Sequence, residues 1–177
     1  MRNLHDNGKA VIEAETNLSI NNQIEIKFLA DCQEHIPALA KLWYEEISRH
    51  WVADASIEKA KNRLITHLNK EKIPMALVAL HDDIPIGMAC LRETDGIRLG
   101  VMPWLGSLVV DRQFRGKQIG ETLIEAIKSQ AKLFNHNTLY LLAFDPTIPR
   151  WYAKLGWEPA GEDMLLGHRV AVMSISI

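Results

Sequence analysis

Hydrophobic and polar residues follow two different periods along this chain, and each change of period predicts a new element. Residues 24–28 alternate between apolar and polar side chains, which is typical of a half-buried strand. Apolar residues then recur at three- and four-residue spacing over residues 36–47 and again over residues 57–68, and this spacing predicts two amphipathic helices. The joint between them, Arg49-His50-Trp51, is amphipathic and could overhang a cleft.

The rest of the chain continues with strands and helices in turn. The unbroken apolar run 75–80 predicts a strand covered on both faces, and residues 84–91 are predicted to return as its antiparallel partner. The remaining patterns predict a strand over 104–110, a helix over 119–134, a strand over 138–144, a short helix from Pro149, and strands over 157–160 and 169–177. This order predicts a mixed α/β sheet covered by helices.

Composition supports one domain without a strongly charged partner. The 177 residues suit a single core, which we place over residues 23–177 after a polar tail, residues 1–22, with at most one added strand at 11–14. A net charge of -2 gives no electrostatic reason to expect nucleic acid or an anionic membrane as partner.

The chain also lacks the patterns of membrane, secreted and metal-binding proteins. No run approaches the roughly 18 apolar residues of a membrane span, and the first residues have no secretory apolar core. Cys32 and Cys90 have no metal or redox spacing, and Cys90 fits a small buried hydrophobe. We therefore expect a cytoplasmic protein with no metal site.

The stretch LGSLVVDRQFRGKQIGETLIE, residues 105–125, carries the most chemical information. An apolar strand ends at Asp111, a basic loop with glycine follows, and a helical apolar stripe begins at Ile119. The first N–H groups of a helix have no intrahelical partner and bind anions, and Arg115 and Lys117 add positive charge beside them. From the residues alone, this stretch predicts a site for a phosphate-bearing ligand.

Two segments follow the spacing of a known family. VDRQFRGKQIG, residues 110–120, resembles the acyl-CoA loop of the GNAT N-acetyltransferases, and RWYAKLGW, residues 150–157, resembles that family's FYxKLGF segment. The predicted order of elements also fits, so the resemblance covers about residues 24–177. It implies a single-domain α/β fold whose mixed, mostly antiparallel sheet has a V-shaped splay at its central strands.

The resemblance implies acetyl-CoA as cosubstrate, held at two places. The backbone of Leu108, Val109 and Val110 would pair with the pantetheine arm. A freed N–H near Val109 or Val110 would donate to the thioester carbonyl. The pyrophosphate would contact Arg115, Gly116, Lys117, Gln118, Ile119 and Gly120, with Thr122 as a further hydroxyl. Since the family has glycine at position 118, we expect Gln118 to supply its N–H with a helical φ.

Tyr152 stands at the family's position for the acid that protonates the leaving thiolate. Its reference pKa of about 10 lies close to that of an alkyl thiol, so proton transfer would be nearly balanced. Alternatively, Tyr152 only packs against the cofactor or the sheet. Glu93 and Asp95 are candidate bases for the acceptor ammonium, although both also fit solvated charges of a polar loop.

The implied function is transfer of an acetyl or short acyl group from acetyl-CoA to an amine by direct attack. The alternative is a non-catalytic module of the same fold that binds or senses acyl-CoA. Trp43, Trp51 and Trp104 are candidate walls of the acceptor pocket, with core packing favoured for Trp43. The acceptor stays open between a small molecule and a peptide, and the apolar last strand could pair with a second copy in a homodimer.

Overall fold

The computed structural model describes residues 23–98 and 100–177, and the predicted tail, residues 1–22, with its added strand lies outside this part. The strands are β1 (Ile24–Phe28), β2 (Met75–His81), β3 (Ile84–Arg92), β4 (Trp104–Val110), β5 (Thr138–Ala143), β6 (Glu158–Leu165) and β7 (His168–Ser176). The helices are α1 (Ile36–Trp43), α2 (Arg49–Trp51), α3 (Ile57–Ile65), α4 (Ile119–Leu133) and α5 (Pro149–Lys154), and a π-helical turn (Tyr44–Ser48) joins α1 to α2.

The seven strands form one sheet in the order β1-β2-β3-β4-β5-β7-β6. Neighbouring strands run antiparallel except β4 and β5, which are parallel and pair only at Trp104 with Tyr140 and at Leu105 with Leu141. Beyond Leu105 the two strands diverge. The predicted mixed, mostly antiparallel sheet with a splay at its centre is confirmed.

Strand β2 shows why the sheet needs helices on both faces. Met75, Leu77 and Ala79 belong to the core cluster beneath α4 and α5. The alternate residues of β2 belong to the cluster beneath α1 and α3. An unbroken apolar strand is stable only when both faces are covered, so the prediction for residues 75–80 is confirmed.

Local signals fix several element ends. Ser56 caps α3, because its hydroxyl oxygen accepts the N–H of Lys59 at 3.1 Å. Asn135 follows α4 with φ of 62°, a left-handed position that asparagine tolerates. Strand β6 is longer than the predicted 157–160 and pairs with β7 up to the turn at Leu166 and Gly167.

The prediction that the last strand could pair with a second copy is wrong in its geometry. Strand β7 lies between β5 and β6 and is hydrogen-bonded to both, so it presents no free edge. Within the described part of the chain, no helix is both long and apolar enough to cross a membrane.

Candidate active site

A cleft of about 990 Å³ opens where β4 and β5 diverge. The π-helical turn and α2 form one wall, with Trp43 and Trp51 among the lining residues. The end of β5 and helix α5 form the opposite wall, and β4 with the loop after it forms the floor. Trp51 stacks on Phe144 with ring centroids 5.4 Å apart, so this joint reaches across the cleft as predicted.

Strand β4 carries a β-bulge on the cleft floor. Residues 107 and 108 together lie opposite the single β3 residue Ala89. Ser107 has φ of 50°, in the left-handed region that non-glycine residues seldom occupy. A bulge shifts the alternation of a strand by one residue, and so it decides which backbone amides after it face the cleft.

The backbone of Val110 faces the cleft rather than β3. The N–H of Asp111 donates to the Ile86 carbonyl at 2.8 Å, so the backbone groups of Asp111 point toward β3 and those of Val110 point away. In agreement, the carbonyl of Val110 accepts the Nε–H of Arg115 at 3.0 Å. Two amides are candidates to donate a hydrogen bond to the thioester carbonyl. The Val110 amide points into the cleft and is suitable, whereas Val109 pairs with Met88 on β3.

The start of α4 presents free backbone donors to the same cleft. The N–H groups of residues 119–121 have no intrahelical acceptor, and these residues line the cleft together with Gln118, Gly116 and Arg115. Thr122 and Lys117 do not line it. The Thr122 hydroxyl donates to the Gln118 carbonyl at 2.9 Å, and the Lys117 ammonium lies 5.0 Å from the centre of the Phe114 ring.

The expected helical φ of Gln118 is wrong. Gln118 is the N-cap of α4 with φ of 62° and ψ of 14°, in the left-handed region. The loop must reverse direction between the 3₁₀ turn Arg112–Phe114 and α4, and Gly116 also has a positive φ of 74°. The glycine that the family has at this position therefore suits the backbone conformation, and Gln118 adopts it at a cost.

Glu46 binds two arginines of this loop. Its carboxylate accepts from Arg112 Nε at 2.8 Å and from Arg115 Nη2 at 2.7 Å, and its side chain is 13% exposed. Burial disfavours the charge of Glu46, but the hydrogen bonds and charges of the two arginines outweigh it and lower its pKa. The π-helical turn thus holds the loop after β4 in place.

Tyr152 lies on the cleft wall with 7% of its surface exposed. Its ring packs against Trp151 and Trp157, with ring centroids 4.8 Å and 5.6 Å away. Burial raises the pKa of Tyr152, so the phenol stays protonated at every physiological pH but is a weaker acid than its reference value suggests. The expectation of a nearly balanced transfer to the thiolate is therefore wrong, because transfer from this weaker acid is uphill in free energy.

Comparison with known proteins identifies this arrangement. A family model described as an acetyltransferase (GNAT) domain matches residues 74–159. The matched segment runs from β2 into β6 and contains the bulge, the loop, the start of α4 and Tyr152. Over these residues the protein is similar to the GNAT acetyltransferases. A search of curated proteins finds no match to this sequence.

Solved structures agree with the GNAT fold over most of the chain. An acetyltransferase from Streptococcus agalactiae aligns with a TM-score of 0.69 at 14% identity, covering 88% of this chain and 99% of that one. The NatC complex bound to Gag peptide and CoA gives 0.66 at 17% identity, covering 88% and 99%. An aminoglycoside 6'-N-acetyltransferase complexed with coenzyme A gives 0.61 at 18% identity, covering 79% and 91%. At these identities the likeness concerns the fold.

The two candidate bases, Glu93 and Asp95, have different surroundings. Asp95 lines the cleft, but its carboxylate lies 2.5 Å from Arg92 Nη1 and 3.6 Å from Arg63 Nη2. Glu93 is exposed and does not line the cleft. The Asp95 carboxylate is engaged by two guanidinium groups and Glu93 lies outside the cleft, so neither residue stands out as the base.

The tryptophan predictions are resolved differently for each residue. Trp104 is fully buried in a small cluster with Ile97, Val170 and Val172, and its indole N–H donates to the Val101 carbonyl at 2.6 Å, so its predicted place at the pocket is wrong. Trp43 lines the cleft although core packing was favoured for it.

Four residues of the site were missed from the sequence: Glu46, Arg63, Arg92 and Ser107. Glu46 sits in a helical stretch where a charge normally faces solvent, and Ser107 lies within an apolar strand. Arg92 offered one usable signal, because a charged residue at the end of the apolar run 86–91 must find a partner if the strand is buried. The partners themselves come from distant segments.

Proposed function

We propose that this protein transfers an acetyl or short acyl group from acetyl-CoA to an amine. The single observation that supports this most strongly is the opening between β4 and β5, with an inward-facing amide at Val110 and the free N–H groups of α4 in one cleft. An extended thioester with a pyrophosphate at its far end needs these two features at the two ends of one groove.

The proposed reaction begins with direct attack by a neutral amine on the thioester carbonyl carbon. A C–N bond forms, and the carbonyl oxygen becomes an oxyanion that accepts a hydrogen bond from the Val110 N–H. The intermediate collapses as the C–S bond breaks, and CoA leaves as a thiolate. Tyr152 donates its proton to that sulfur to give the CoA thiol, the attacking nitrogen releases its surplus proton to water, and Tyr152 is reprotonated from water.

The pyrophosphate would lie at the start of α4, where residues 119–121 supply backbone N–H groups. Arg115 adds a guanidinium that already bridges the Val110 carbonyl and Glu46. The acceptor would enter between Trp43 and Trp51. The class of acceptor stays open between a small molecule and a peptide, and both occur among the named structural neighbours.

The test compares wild type with Tyr152→Phe, using CoA release with a panel of amines and calorimetry with acetyl-CoA. We expect kcat to fall by about 10²-fold, within the usual contribution of a positioned acid, and the Kd for acetyl-CoA to change by less than about threefold. Tyr140→Phe is the matched control, because Tyr140 packs on Trp104 outside the cleft. Unchanged turnover in Tyr152→Phe would remove the acid role.

The same assays separate the alternative function. Binding of acetyl-CoA without CoA release for any amine in the panel would favour the sensing module. No binding of acetyl-CoA at millimolar concentration would overturn the proposal as a whole.

A further inference from the structure

A buried arginine contacts the β4 bulge. Arg92 is 6% exposed at the end of β3, and burying a guanidinium is costly unless its donors and its charge are all satisfied. Its Nη1–H donates to Asp95 at 2.5 Å, its Nε–H donates to His67 Nε2 at 3.2 Å, and its Nη2–H donates to the Ser107 hydroxyl. These partners come from three separate segments: the turn just after α3, the loop after β3, and the bulge.

The histidine in this group is held neutral. His67 accepts from Arg92 through Nε2, so the proton sits on Nδ1, which lies 2.8 Å from the Arg63 carbonyl. Burial and the charge of Arg92 lower the pKa of His67 to about 4. Arg92 and Asp95 therefore form the charged pair, and His67 orients the guanidinium as a neutral acceptor.

The guanidinium also lies directly against the strand backbone. A Cβ on Gly106 would be 2.5 Å from Arg92 Nη1 and 2.8 Å from Cζ, closer than real contacts allow. Gly106 immediately precedes Ser107, so glycine at this position admits the guanidinium to the bulge. The close approach and the contact with Ser107 together restrain the left-handed conformation of Ser107.

The bulge determines the direction of the proposed oxyanion donor. In regular alternation Leu105 would share a face with residues 107 and 109, but Leu105, Leu108 and Val110 all pack toward the same core cluster. The shift by one residue turns the Val110 amide to the cleft. Loss of the bulge would turn that amide toward β3 and present Val109 instead.

We propose that Arg92 is a positioning residue for acyl transfer, which holds Ser107 in the bulge and thereby aims the Val110 amide at the thioester carbonyl. This inference rests on the proposed function. Arg92 does not need to touch either substrate. Its effect passes through one side-chain hydrogen bond and the backbone of residues 106–110.

The experiment binds acetyl-CoA, isotope-labelled at its carbonyl carbon, to wild type, Arg92→Met and Arg63→Met, and measures the carbonyl NMR shift of the bound cofactor. A hydrogen bond from Val110 moves this shift away from its value in free acetyl-CoA. We expect Arg92→Met to return it most of the way and to lower kcat about ten- to a hundredfold, less than full removal of an oxyanion donor. Arg63→Met should keep the wild-type shift, because Arg63 also pairs with Asp95, and among the described residues the Ser107 hydroxyl is hydrogen-bonded to Arg92 and not to Arg63.

A second pair of variants covers failure of Arg92→Met to fold, since that change leaves Asp95 without its closest partner. Ser107→Gly removes the hydroxyl but adopts a positive φ readily, whereas Ser107→Val opposes it through its branched side chain. We expect Ser107→Gly, which loses the contact with Arg92, to return part of the carbonyl shift toward its free value and to lower kcat less than Ser107→Val does. Ser107→Val should lose both while thermal unfolding stays cooperative.

The outcomes distinguish this inference from the proposed function. If wild type binds acetyl-CoA with a displaced carbonyl shift that Arg92→Met and Ser107→Val both retain, the positioning role is refuted and the proposed function stands. If wild type shows no displaced shift, the Val110 amide does not contact the carbonyl, and the inference fails at that step. If wild type does not bind acetyl-CoA, the proposed function itself is refuted.

Discussion

Replacement of Gln118 by glycine should stabilise this protein, against the usual effect of introducing glycine. Gln118 has φ of 62° at the N-cap of α4, where an L-residue pays roughly 1–2 kcal/mol relative to the right-handed region. Glycine removes this cost. Because glycine also gives the unfolded chain more conformational freedom, it lowers the free energy of unfolding by about 0.5–1 kcal/mol. The Gln118 side chain makes no hydrogen bond among the described residues, so none is lost. The net gain is about 0.5–1 kcal/mol.

Thermal unfolding with and without CoA is the appropriate assay. For a chain of this size, the gain corresponds to a rise in Tm of roughly 1–4 °C. Gln113→Gly is the matched control, because Gln113 is exposed in the same loop and is not among the residues of positive φ. That control should lower Tm by a similar amount. If Gln118→Gly lowers Tm as much as Gln113→Gly does, the left-handed strain at Gln118 is refuted.

Two further predictions concern the surroundings of Arg92. The folded pKa of His67, about 4, lies below its unfolded value, so the stability it contributes is complete above about pH 6.5 and is lost as pH falls toward 4. Urea unfolding at about pH 7 and 5 should show wild type losing roughly 2 kcal/mol more than His67→Gln, and equal losses would contradict this. Gly106→Ala should cost about 1–3 kcal/mol by displacing Arg92, whereas Gly120→Ala, with its nearest atom at 3.4 Å, should not lower Tm.

The sequence predicts most of the fold because the strongest patterns are local. The run 75–80 is apolar throughout, and the structure buries its two sets of alternate residues in two separate cores. The start of α4 at Ile119 follows from the first residue of its apolar stripe. The two motifs, which both imply contacts with acetyl-CoA, also lie in one cleft.

The failures have a common physical cause, which is tertiary context that no local pattern records. Trp104 is the first residue of β4, where a side chain can line a pocket, but β7 and the loop before β4 cover it in the fold. Glutamine as a residue type is compatible with the start of a helix, and only the reversal of the loop requires the positive φ of Gln118. The reference pKa of tyrosine likewise does not include the effect of burying Tyr152 against Trp151 and Trp157.

The early helices contribute to both ends of the proposed reaction. Glu46, in the π-helical turn, holds Arg112 and Arg115 of the loop, while His67, just after α3, orients the guanidinium that contacts the bulge. Helices α1 to α3, which form the proposed acceptor side, thus also restrain β4 and the loop at its end. Its sequence is therefore constrained twice, by the acceptor and by these restraints. A substitution there that alters acceptor choice should first be examined for a change in acetyl-CoA binding or in the carbonyl shift.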